Sequence, residues 1–83
     1  MVELNRAVAV GLADGPAAGL ALIEPLLADP ALERYQPLHA AHAELLGRAG
    51  DAEGAANAYG RAIALTANAV ERAELERRLG ALR

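Results

Sequence analysis

Gly50-Asp51-Ala52-Glu53-Gly54-Ala55-Ala56-Asn57-Ala58-Tyr59-Gly60-Arg61-Ala62-Ile63-Ala64-Leu65-Thr66-Ala67-Asn68 is the stretch that decides the fold. Gly50 closes one helix, because glycine adopts the left-handed conformation that ends helices at no steric cost. Asp51 caps the next one, since its carboxylate accepts from first-turn amides that have no partner inside the helix. Glu53 follows in the first turn, where the helix dipole favours an anion. Ala55, Ala58, Tyr59, Ala62, Ile63 and Leu65 then recur at helical spacing and form one apolar face. The stretch reads as the second arm of a helical hairpin over Asp51–Thr66, with alanine where two helices meet and a tyrosine between them.

The first arm lies just upstream. Pro37–Ala49 presents Leu38, Ala41, His42, Leu45 and Leu46 as its core set. Asp29-Pro30 is a start signal, with Asp29 as N-cap and Pro30 at the first helical position, and predicts a short helical turn over Pro30–Arg34. Further upstream, Val2–Ala13 carries Leu4, Ala7, Val8, Gly11 and Leu12 on one face, and Val2, Ala9 and Val10 widen that face. A helix that is apolar nearly all round calls for neighbours on two sides. Asp14-Gly15-Pro16 breaks it, and a second helix over Pro16–Ala28 places Leu20, Ile23, Leu26 and Leu27 together. Pro25 inside that helix predicts a kink or an early end near Ile23–Glu24, because proline removes one hydrogen bond and clashes a turn back.

Downstream, Asn68-Ala69-Val70-Glu71 has the form of a capping box and starts a fifth helix over Asn68–Leu82. Leu75, Leu79 and Leu82 make a narrow stripe, and Glu71, Arg72, Glu74, Glu76, Arg77 and Arg78 cover the rest. Glu74 and Arg78 are spaced to pair. A narrow stripe under a charged outer face suits a helix that ends a stack.

The Gly–Ala–aromatic–Ala hairpin at positions 50, 55, 59 and 62 is similar to the tetratricopeptide repeat. The expected fold is all-α, built from tetratricopeptide-like hairpins, about five antiparallel helices in a short right-handed solenoid. Residues 1–83 are expected to form one domain, with hairpin one at about 2–28, hairpin two at about 37–66 and a capping helix at about 68–82. With 54% hydrophobic residues but 2% aromatic, the core must be aliphatic and alanine-rich, and small alanines let helix axes approach closely.

Composition also narrows function. The net charge is −3, all cations are arginine, and no basic stripe is present, which argues against direct nucleic-acid binding by this segment. Cysteine is absent, so disulfides, thiol chemistry and cysteine zinc sites are excluded. No apolar run reaches the roughly 18 residues of a spanning helix, and the start lacks a secretory signal pattern, so no membrane contact is expected.

The inventory for chemistry is thin. His39 and His42 stand one turn apart near Glu44, yet a metal needs a third converging ligand, so neither a metal nor a cofactor is expected. Serine is absent, and the hydroxyls are Thr66, Tyr35 and Tyr59; Thr66 reads as a helix-end cap and Tyr59 as core. The carboxylates Glu44 and Glu53 read as a solvated face rather than an acid/base pair. Gly11, Gly15 and Gly19 lack the lysine and hydroxyl of a phosphate loop, and Gly11 and Gly19 read as close-packing positions. The expectation is a non-catalytic chain. Asn5 and Arg6 sit on the first helix of a hairpin and read either as partners of neighbouring helix ends or as a pair that holds a peptide backbone or carboxylate; with Tyr35 and His39 they are the candidate partner-binding residues.

Leu4-Asn5-Arg6-Ala7-Val8-Ala9-Val10, Ala13-Asp14-Gly15-Pro16-Ala17-Ala18-Gly19-Leu20 and Tyr35-Gln36-Pro37-Leu38-His39-Ala40-Ala41 carry a more specific resemblance. With the Gly50–Leu65 hairpin and Leu75-Glu76-Arg77-Arg78-Leu79, they resemble the C-terminal tetratricopeptide-like extension of bacterial extracytoplasmic-function sigma factors of RNA polymerase. The resemblance spans nearly the whole chain and departs from the family pattern at His42, Pro25 and Glu74. It implies a cytoplasmic regulatory domain in transcription initiation. Its partners would be its own sigma regions, core polymerase or a signalling protein, and DNA would be reached only through upstream regions. It also implies a neighbour for the first helix, a face through which an isolated domain would self-associate. The alternative is a stand-alone helical-repeat adaptor unrelated to transcription.

Overall fold

The computed structural model describes residues 1–82. Five α-helices follow one another: α1 (Val2–Asp14), α2 (Pro16–Leu27), α3 (Gln36–Arg48), α4 (Ala52–Leu65) and α5 (Ala69–Gly80), with a 3₁₀ turn at Pro30–Leu32 between α2 and α3. No strand occurs among the described residues. The fold is all-α: α1 packs on α2 and α3 on α4 as two hairpins, α2 joins them through α3, and α5 lies against α4.

Local chemistry explains each turn. At the end of α3, Gly50 has φ 88°, the Asp51 amide donates to the Leu46 carbonyl at 2.9 Å, and the Gly50 amide donates to Gly47 at 3.2 Å. This is a Schellman closure, which requires a left-handed residue at Gly50. Asp51 then serves the next helix, its carboxylate accepting from the Gly54 amide at 2.8 Å. One residue therefore ends α3 and starts α4. Asn68 accepts from both the Val70 and Glu71 amides at 2.8 and 3.1 Å, and the Arg72 guanidinium donates to the Thr66 carbonyl at 3.0 Å. These bonds fix the angle between α4 and α5. Asp29 likewise accepts from Ala31 at 2.9 Å. Between α1 and α2 stands only Gly15, at φ 102° and ψ 154°. That region is open to glycine almost alone, and the high ψ is what a residue before proline adopts.

The structure corrects the expectation of an early helix end at Pro25. The second helix neither ends nor stops short at Ile23–Glu24 but continues through Pro25 to Leu27. The reason is position. Proline deprives only the Ala21 carbonyl of its intrahelical donor, Ala21 is exposed to water, and the helix is already within one turn of its end.

Two cores flank α3. Leu4 and Ala7 of α1, Ile23 of α2, and Leu38 and Leu45 of α3 form the first. Ala43 of α3, Ala55, Ala58, Tyr59 and Ala62 of α4, and Leu75 of α5 form the second. Gly11 and Gly19 set the crossing of α1 and α2: a Cβ on Gly19 would stand 2.7 Å from the Ala7 carbonyl oxygen and 2.8 Å from the Gly11 Cα. Backbone meets backbone there, in keeping with the close-packing role expected of the two glycines.

Burial departs from expectation at two further places. Leu12 belongs to the predicted stripe of α1 but is 59% exposed, and Val2 is 79% exposed. On α3, His39 is buried and His42 is only half-buried, the reverse of the expected placing. Ala43, not in the expected set, is fully buried because the alanine face of α4 rests on it. The radius of gyration is 11.9 Å, close to the roughly 11.8 Å of a compact domain this long. Two hairpins and a cap are too few to extend into an elongated superhelix.

Candidate protein-interaction groove

α3 and α4 are antiparallel, so the start of α3 faces the end of α4. Along their shared edge, roofed by the end of α2 and the 3₁₀ turn, runs a groove of about 520 Å³. Leu27, Leu32, Leu38, Leu46 and Ala58 form its apolar walls. Its polar groups are Glu33, His39, His42, Asp51, Asn57 and Arg61. The α4 contribution (Gly54, Asn57, Ala58 and Arg61) is spaced at i, i+3, i+4 and i+7, a helical face that adjoins the alanine face packed in the core and shares Ala58 with it.

His39 is 5% exposed, and its Nε2 lies 2.8 Å from the Glu33 carbonyl oxygen. A carbonyl only accepts, so Nε2 carries the proton and donates. This bond ties the segment after the 3₁₀ turn to α3 and holds one wall of the groove in place. His42 lies a turn further along. Burial, and then the neighbouring His39, push its pKa below the ordinary value, while Glu24 and Asp51 oppose that shift. The imidazole is thereby favoured as a neutral hydrogen-bonding group.

The other face of α3 carries a smaller trough of about 280 Å³ between Val8 and Leu12 of α1, Ala41 and Glu44 of α3, and Arg78 of α5. Here Glu44 lies 3.6 Å from Arg48 and accepts a long 3.5 Å bond from the Tyr59 hydroxyl. Burial, then Glu44, raise the Tyr59 pKa, which keeps that phenol protonated and a poor nucleophile. On the rim of α5, the exposed Glu74 bonds both Arg77 and Arg78, at 3.0 Å from the Nε of each. The Glu74–Arg78 pairing follows the sequence reading.

The candidate partner-binding residues are dispersed. His39 lines the large groove. Tyr35 precedes α3 and packs against the Leu4–Ile23–Leu38 core. Asn5 and Arg6 stand exposed on α1. Sequence reasoning does not find the groove's α4 residues: it gives Asp51 only a capping role, and Asn57 and Arg61 none. The signal that finds them is the second i, i+3, i+4, i+7 set beside the alanine face. Among the described residues, no group of three His, Asp or Glu side chains is placed to hold a metal, and no helix is long and apolar enough to cross a membrane.

Among known proteins, the chain is 44% identical over 79 residues to an uncharacterised protein of Rhizobium meliloti (strain 1021). The match takes in 95% of this chain but spans only 18% of that protein's length. No family model matches the chain, and no solved structure matches it.

Proposed function

We propose that the chain is a non-catalytic protein-interaction domain, the C-terminal tetratricopeptide-like extension of an extracytoplasmic-function sigma factor. It regulates transcription initiation in the cytoplasm by binding a protein segment, either a region of its own sigma factor, core polymerase or a regulator. The observation that carries the sigma assignment is the pair of stretches Leu4–Val10 and Ala13–Leu20, which lie on the α1–α2 hairpin and supply Gly19 of its glycine crossing. Two features support the interaction role. Helical hairpins that expose apolar grooves recognise peptides without chemistry, and the groove on α3 and α4 has such walls. The related segment in the rhizobial protein is a minor part of a longer chain, which is how an appended domain behaves.

The reading frame upstream of Met1 tests the sigma assignment directly. Sigma-type promoter-binding and polymerase-binding regions are expected there, and a frame without them ends the assignment. Co-purification of the full-length protein with core polymerase, with and without residues 1–83, then tests the regulatory role. Removal of the domain is expected to change polymerase recruitment or its response to a regulator; identical behaviour would leave the domain no part in initiation.

A further inference from the structure

The groove along α4 is electrostatically polarised. Asp51 caps the start of α4 and Arg61 sits ten residues later, about 15 Å along the axis. At the Asp51 end the groove also holds the half-buried imidazole of His42. At the Arg61 end the groove continues into a second hollow that shares Glu33 and Arg61 and adds Arg34, Ala64 and Leu65. Two arginines there outweigh the one carboxylate of Glu33. Arg34 and Arg61 form no ion pair among the described residues. The groove's accessible apolar residues are Leu27, Leu32 and Leu46, with Asn57 on the flank.

This charge pattern selects an occupant. Helices favour acids in their first turn and bases in their last. A helix that meets arginines with its first turn and a carboxylate with its last must run from Arg61 toward Asp51, opposite to α4. We propose that the groove docks an amphipathic helix antiparallel to α4. Its first-turn carboxylates lie against Arg34 and Arg61, its leucine-type side chains on Leu27, Leu32 and Leu46, and its last-turn cations against Asp51. The inference rests on the chain being an interaction domain and names the class of segment it takes. It is independent of the sigma assignment, which the upstream reading frame decides.

The test uses the domain as it stands and two blocked peptides of about 15 residues, long enough to reach partial helicity. Both carry the same leucine face; one has two glutamates first and two arginines last, and the other has these charges reversed. In amide NMR titrations the first peptide is expected to bind about tenfold more tightly than the second. Its shifts should map to Leu32, His39, His42, Asn57 and Arg61. The double variant Arg34→Glu with Arg61→Glu changes two exposed side chains, and its thermal melt checks that the fold is kept. It is expected to lose the preference between the peptides. Equal affinity for both peptides, no binding of either, or shifts confined to α1 would each overturn the proposal. So would sedimentation showing that a second copy of the chain occupies the groove.

Discussion

The two cores on either side of α3 are built from different side chains. The first, between α1, α2 and α3, packs Leu4, Ile23, Leu38 and Leu45, and needs Gly11 and Gly19 to let two backbones touch. The second, between α3, α4 and α5, packs Ala43, Ala55, Ala58 and Ala62 around the ring of Tyr59 and Leu75 of α5. In the first, large side chains fill the space and closeness is confined to one glycine crossing. In the second, alanine supplies most of the buried side chains between α3 and α4, and the larger Tyr59 and Leu75 complete it. The first core is thus sensitive to removing volume and to adding any atom at its crossing, whereas the second depends on its caps to hold short side chains in register.

Leu45→Ala is the largest predicted break. Leu45 is 1% exposed and reaches between α3 and Gly11 of α1. Its truncation leaves a cavity that two helices cannot close, and should cost about 3 kcal/mol in denaturant unfolding. A cost below about 1 kcal/mol would show that α1 collapses onto α3 as freely as alanine-packed helices do.

Gly19→Ala comes next and tests the crossing. The new Cβ would press on the Ala7 carbonyl and the Gly11 backbone, and backbone cannot rotate away as a side chain can. A loss of about 2 kcal/mol is expected. Gly60→Ala in α4 is its counterpart in the second hairpin, where nothing lies within 4 Å of the added Cβ. There the substitution should stabilise by about 0.5–1 kcal/mol, through helix propensity alone. The opposite signs of the two alanine substitutions are the measurement, read as melting midpoints in the same buffer.

The second hairpin's reliance on caps predicts smaller, paired losses. Asp51→Ala and Asn68→Ala each remove a side-chain acceptor at a helix start, and each should cost about 1 kcal/mol. Hairpin one has no equivalent, since α1 and α2 both begin without a side-chain cap bond. If both substitutions are neutral, the alanine interface alone holds α4 and α5 in place.

Much of this is legible in the sequence, and the physics says which parts. Gly50, Asp51 and Asn68 act through neighbours in the chain, so their roles follow from local spacing, and all three perform them. The alanine face of α4 is readable because small residues recurring at helical period mark the side on which another helix comes close. Pro25 is harder to read, because whether a proline interrupts a helix depends on which carbonyl loses its donor and whether water reaches it. Leu12 is equally hard to place, because a helix apolar nearly all round does not say which side is covered. Whether His39 or His42 is the buried one depends on the path of the 3₁₀ turn, which brings the Glu33 carbonyl to His39. The groove is hidden for a related reason. Its residues come from the end of α2, the turn, α3 and α4, and only their assembly makes a site.

His42 offers the gentlest test, and it bears on the seam between the two cores. It is half-buried on α3, one turn from His39, and feels the charges of Glu24 on α2 and Asp51 at the start of α4. Burial and His39 lower its pKa from the ordinary 6.5, and the two carboxylates only partly offset this. The unfolded chain therefore takes up a proton near 6.5 that the folded chain refuses. The stability from the neutral imidazole is complete above that value and falls as the pH drops through it toward the lower folded pKa. Urea midpoints should decline modestly between about pH 7.5 and 5.5. His42→Gln should flatten that decline while leaving the midpoint at the upper pH nearly unchanged. A decline that survives the substitution would place the titrating group elsewhere and end this reading of His42.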